Sequence, residues 1–140
     1  MLSQEEEARL VSAIRRAEEG HRAEIVVHFA RRCAGDPVAA ARDYASKLPR
    51  TKDDTTVVLY VASSDKKVSV YAGAGVYGAG EPTFWQSVTD AVAERAKQGD
   101  VLGGVVEALG LLQPILSLAA PGKDTAGNEL ADRATSDGDA

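Results

Sequence analysis

A chain of 140 residues is one domain's worth, and its 44% hydrophobic content is enough to bury a core. The net charge is −5, of which −3 falls in the last twenty residues, where Lys123 and Arg133 face Asp124, Glu129, Asp132, Asp137 and Asp139. With no basic patch visible, neither a nucleic-acid partner nor an anionic membrane surface is expected.

The N-terminal stretch Met1-Leu2-Ser3-Gln4-Glu5-Glu6-Glu7 is polar and acidic, unlike a signal peptide. No run reaches the ~18 apolar residues of a membrane span, so no membrane insertion is expected. The single cysteine, Cys33, cannot form an internal disulfide. Together these features predict a cytoplasmic location.

Ser3 and Glu6 have the form of a capping box, and Leu10, Val11, Ile14 and Ala17 recur at helical spacing. They predict a first helix over residues 4–19, closed by Gly20. Glu24-Ile25-Val26-Val27-His28-Phe29-Ala30 is a β-branched run that predicts an interior strand. Asp36-Pro37 opens a second helix, which Pro49 stops. Residues 56–62 read as a buried strand, Ser63 to Lys66 as a turn, and residues 67–72 as a half-buried strand returning antiparallel. Strand–helix–strand over residues 24–62 predicts a right-handed parallel crossover.

Gly73 to Gly80 holds four glycines in eight residues and reads as a loop. Pro82 opens a helix ending near Gly99, and Asp100 caps a last helix that Pro114 should kink or nearly end. The order α-β-α-β-β-α-α predicts an α/β sandwich with a small mixed sheet over residues 1–120. The composition of residues 121–140 predicts a disordered acidic tail.

Several motifs fail in context. Gly73-Ala74-Gly75-Val76-Tyr77-Gly78 matches G-x-G-x-x-G in letters, but it follows the return strand of a hairpin, and no later strand supplies an acidic ribose ligand. No nucleotide cofactor is therefore expected. Cys33 has Ala39, not arginine, six positions on, so the cysteine-dependent phosphatase loop is absent. His21 and His28 lie seven apart, without zinc-ligand spacing, and His28 is expected to be a packed strand residue.

One constellation carries chemistry. With the first two strands parallel and the third antiparallel, Glu24, the segment Asp53-Asp54-Thr55-Thr56 and the glycines from Gly73 onward must share one sheet edge. Glu81 stands at the far end of the glycine loop. Carboxylates of Glu24, Asp53, Asp54 and Glu81, with backbone oxygens at Gly73 and Gly75, suit a hard cation such as Ca²⁺ or Mg²⁺. The alternative is that the acids are surface charges and the glycines only turn the chain.

These positions also carry a resemblance. The chain resembles the TPM domain family, the group that includes a thylakoid-lumen acid phosphatase-like protein, a photosystem II repair protein and an acetylcholine-receptor accessory protein. The likeness covers roughly residues 2–120. It rests on Leu2-Ser3 before a Glu-rich helix, Ala23-Glu24-Ile25-Val26-Val27, the strand Val57-Val58-Leu59-Tyr60-Val61-Ala62 and Asp65-Lys66-Lys67. The Gly-rich turn, Phe84-Trp85 and Gln98-Gly99-Asp100 complete it. Phe84-Trp85 and Asn128-Glu129-Leu130 resemble short, leaderless bacterial members.

The resemblance implies an α/β/α sandwich, divalent-cation binding and, in some members, weak phosphatase activity. Glu24 matches the family's acidic residue opening the first strand. Thr55-Thr56 stands where the family has Asn-Gly or Asp-Gly, and Gly73-Ala74-Gly75 replaces an acidic residue of the following turn. Those departures remove ligand oxygens or a flexible turn.

Three functions follow as expectations: a binding or accessory module with a weak cation site and an unidentified protein partner, a metal-assisted phosphomonoesterase of low activity, or a metal-free docking domain using exposed Val76 and Tyr77 of the Gly-rich loop. For catalysis the sequence shows no positioned general acid or base and no cation converging to hold phosphate.

Overall fold

A computed structural model describes residues 2–49, 54–122 and 134–136. The capping box forms: Ser3 Oγ accepts from the Glu6 amide at 3.1 Å and Glu6 Oε1 accepts from the Ser3 amide at 3.0 Å. These bonds to Ser3 hold the exposed Glu6 carboxyl below its usual pKa. Helix α1 runs Gln4–Ala17 and buries Leu10, Ala13, Ile14 and Ala17. Strand β1 (Glu24–Phe29) pairs parallel with β2 (Thr56–Ala62), in register from Glu24 opposite Thr56 to Phe29 opposite Val61. The crossover helix α2 (Pro37–Ser46) starts at Asp36, whose carboxylate accepts from the Val38 amide at 3.0 Å.

A 3-10 turn over Ser63–Asp65, with Lys66 at φ 54°, leads into β3 (Lys67–Ala72), antiparallel to β2. A one-turn helix α3 (Ala74–Tyr77) follows, then α4 (Pro82–Lys97) and α5 (Val101–Ala119). The sheet order is β3-β2-β1-β4, where β4 (Ala134–Ser136) pairs parallel with β1.

Alternation along the strands sorts the layers. Ile25, Val27, Val57, Leu59 and Val61 face α1, α4 and α5 in the main core. Val26, Val58, Tyr60 and Ala62 face α2, against Ala41, Tyr44 and Leu48. His28 lies on this second face, buried and stacked on Tyr44 at 4.1 Å between ring centres. The α/β/α sandwich is thus formed, with α2 alone on one side.

One feature departs from the sequence expectations. The glycine stretch is not an open loop: Gly73 O accepts from the amides of Val76 and Tyr77 and closes α3. Helix α5 runs through Pro114 to Ala119. The carbonyl that the proline ring deprives of a partner belongs to Gly110, which is exposed and so open to solvent. Residues 134–136 line the outer edge of β1, whose backbone groups offer a template to any short extended segment; the other residues of 123–140, where the tail is expected, lie outside those described.

Helix α5 is also long and apolar enough by composition to cross a membrane, though no unbroken apolar run marked it in the sequence. Its apolar stripe of Leu102, Val105, Ala108, Leu109, Leu112 and Leu116 is packed into the core.

His21, which reads as a loop residue, locks the end of α1. It is 2% exposed, its Nδ1 accepts from the Ala23 amide at 3.1 Å, and its Nε2 therefore carries the proton and donates to Ala17 O at 2.6 Å. Burial pushes the imidazole below its ordinary pKa, and the bond to Ala17 only partly opposes that. The folded state thus disfavours the proton that the unfolded chain accepts near pH 6.5. This contribution to stability is complete above about pH 6.5 and is lost as pH falls from there through the folded pKa. We expect the urea midpoint to fall between pH 7.5 and 5.5, and to fall less in His21→Gln. Equal falls in the two proteins would remove His21 as the cause.

Candidate functional site

The edge where β1 and β2 begin and β3 ends is sewn by backbone bonds. Glu24 N–H donates to Thr55 O at 3.0 Å and Gly73 N–H to Thr56 O at 2.9 Å. The topology therefore brings Glu24, Thr55, Thr56 and Gly73 together as the strand directions require.

Asp54 precedes this seam with φ 50°, a left-handed conformation that Asp tolerates better than most residues. Its carboxylate Oδ2 accepts from Tyr71 Oη at 2.9 Å and from the Ala74 amide at 3.4 Å. Its carbonyl accepts from the Gly75 amide at 3.1 Å. One residue thus ties the entry of β2 to the exit of β3. Gly73 makes this tie sterically feasible, because a Cβ there would overlap both the Asp54 carbonyl oxygen and its carboxylate.

Of the other predicted ligands, Glu24 is buried, 2% exposed. It shares the α2-facing side of β1 with Val26 and His28, and so lies on the side of the sheet that carries Thr56 and Tyr71. Glu81 is exposed at the N-cap of α4, beyond the α3 turn, and its side chain makes no capping bond. Asp53 lies outside the described residues. The Gly73 carbonyl, expected to be free for a cation, is committed to the α3 turn. Among the described residues no group of three His, Cys, Asp or Glu side chains is placed to hold a metal ion.

Beside Asp54 opens a cleft of about 280 Å³. Arg42, Ala45, Ser46, Leu48 and Pro49 line it from α2 and its exit; Asp54, Thr56 and Tyr71 line it from the sheet. Arg42 and Tyr71 are the residues that sequence reasoning missed. Two signals were available: Arg42, Ala45 and Ser46 fall at i, i+3 and i+4, and Tyr71 is in phase with Ser69 on β3. The cleft presents a carboxylate, two aliphatic hydroxyls, a phenol and a guanidinium at one end of a parallel strand pair. That set can take a hydrated cation at Asp54, an anion at Arg42, or both.

The other expected anchors divide. Val76 is buried at 1% exposure because α3 turns it into the main core, which corrects its reading as an exposed docking residue. Tyr77 is 47% exposed and stacks on Trp85 at 5.9 Å.

The family model described as the TPM domain, TPM_phosphatase, matches residues 1–114. The fold is similar to the NMR structure of BA42 protein from the psychrophilic bacterium Bizionia argentinensis, with TM-score 0.83 and 30% identity, covering 97% of this chain and 95% of that one. It is also similar to the N-terminal domain of cg2496 protein from Corynebacterium glutamicum, with TM-score 0.65 and 12% identity, covering 88% and 79% of the two chains. An N-terminal domain from P. gingivalis matches with TM-score 0.57 and 18% identity, covering 85% and 78%. A search of curated proteins finds no match.

Proposed function

The chain belongs to the TPM domain family, and from that premise we propose that it is a binding or accessory module taking a divalent cation weakly at Asp54, in service of a protein partner. The observation that carries this reading is the fixed carboxylate: Asp54 is oriented by Tyr71 and Ala74 on the wall of an open cleft. Glu24 lies on the same side of the seam, one strand over. A cation held by so few described carboxylates keeps most of its waters, and a site of that kind binds in the ~0.1–1 mM range.

At cation concentrations about tenfold above Kd, mass action adds roughly 1.4 kcal/mol, a few degrees in Tm. We expect Ca²⁺ or Mg²⁺ at 10 mM to raise Tm over an EDTA control in the wild type and not in Asp54→Asn. The absence of any cation-dependent shift in the wild type would remove the site.

Arg42 favours a second reading, a metal-assisted phosphomonoesterase of low activity. Arg42 lines the cleft, and on this reading it is the cation that holds phosphate. On this reading, cation-dependent phosphate release from p-nitrophenyl phosphate disappears in Arg42→Ala while the cation-dependent Tm shift survives. Release unchanged by that substitution would count against it.

A further inference from the structure

At the opposite end of the sheet, between the β2–β3 turn and the α4–α5 corner, lies a second cavity of about 250 Å³. Its floor is Val61 and Val68, directly paired across β2 and β3 on the face that looks toward α4 and α5. Its roof is Ala93 and Ala96, neighbours on the sheet-facing side of α4, with Val101 at the start of α5. The void has a clear origin. Trp85, Val88 and Val92 fill the space under α4 nearer its start, whereas at its end two alanines stand where larger side chains would close the gap.

The mouth is polar and of one sign. Lys66, Lys97 and the Ser63 hydroxyl complete the lining, and among the described residues no carboxylate belongs to it. Lys66 is exposed and projects from a left-handed backbone position at the tip of the turn. Among the described residues Lys97 pairs with Glu94 at 3.6 Å; both are about 70% exposed, so the pair is weak and Lys97 can turn to another anion.

We propose that this cavity binds a small monocarboxylate with an apolar tail. The carboxylate lies between Lys66, Lys97 and Ser63, and the tail lies on Val61, Val68, Ala93 and Ala96. A dry apolar cavity of about 150 Å³ holds benzene in another protein, so this volume admits a tail on the order of six to eight carbons. The floor supplies hydrophobic binding, and the paired ammonium groups select the charged head. This site lies at the other end of the sheet from Asp54, so it stands or falls independently of the cation reading.

The test is a titration of ¹⁵N-labelled full-length protein with sodium octanoate, with 1-octanol and acetate as controls. Saturable shifts at Val61, Ser63, Lys66, Val68 and Ala96, weaker with octanol and absent with acetate, are the expected result. Lys66→Gln/Lys97→Gln, on the surface, should fold normally and weaken octanoate roughly three- to tenfold. Ala96→Leu should fill the cavity, abolish binding and raise Tm; if that variant fails to fold, Ala93→Leu takes its place. Octanol binding as tightly as octanoate, or octanoate binding unaffected by the double lysine variant, would overturn recognition of the anion. Shifts that do not saturate, or that lie elsewhere, would overturn the site.

Discussion

Gly73→Ala is expected to cost about 2–3 kcal/mol of folding stability, and to lower Tm by roughly 10 °C. The added methyl would lie 2.5 Å from Asp54 Cγ and overlap the carbonyl and carboxylate oxygens of the same residue. Neither can give easily. The carbonyl is held by the Gly75 amide, and the carboxylate by Tyr71 and the Ala74 amide. Relief therefore has to come from shifting the entry of β2 against the exit of β3, which loosens the edge that presents Asp54 to the cleft. Gly78→Ala is the matched control: it lies in the same stretch, its φ is −69°, and a Cβ there meets nothing within 4 Å. It should change stability by no more than about 0.5 kcal/mol. Thermal melts of the two variants decide the matter. If they melt together, the close approach at Gly73 has no energetic consequence.

Trp85→Ala should be the more damaging change, at about 3–5 kcal/mol by urea denaturation. Trp85 is the single tryptophan of the chain and is 6% exposed. Its indole N–H donates to Tyr77 O at 2.9 Å, it stacks on Tyr77, and it packs edge-to-face with Phe84 at 5.0 Å between ring centres. It thereby pins the α3 turn to α4, and through α3 it keeps Val76 in the core. Trp85→Phe separates the two roles. It keeps most of the packing and loses the bond to Tyr77, so about 1 kcal/mol is expected. A loss below 1.5 kcal/mol in the alanine variant would mean that α3 is held by Val76 alone.

Legibility in the sequence followed the range of the interaction. Ser3 with Glu6, and Asp36 with Pro37, are contacts within one turn, and both helix starts fall where those residues place them. The β-branched runs of β1 and β2 likewise announce strands, because burial on both faces favours a nearly continuous apolar run. The edge that gathers Glu24, Thr56 and Gly73 follows from strand direction alone. What stayed hidden depends on partners far away in the chain. The α3 turn exists because Val76 has a core to enter, and glycine composition argues against a helix. Arg42 reaches the cleft only because α2 crosses the sheet at that spot. His21 is polar by type, yet it is enclosed where the ends of α1 and α5 meet, with Arg22 N–H donating to Ala120 O beside it. The lysines of the second cavity come from two elements and form no cluster in sequence.

The tip of the hairpin reaches back to the loop before α2. Lys67 Nζ donates to Cys33 O at 2.8 Å and Gly35 O at 2.7 Å, and Asp65 accepts from the Cys33 amide at 2.7 Å. These clamps join segments far apart in sequence, whereas the β2–β3 ladder that carries them closes over a few residues. Short loops close at lower entropic cost, so the hairpin is expected to form early and the crossover loop to be captured afterwards. On that order the clamps form late, and weakening them is expected to speed unfolding more than it slows folding.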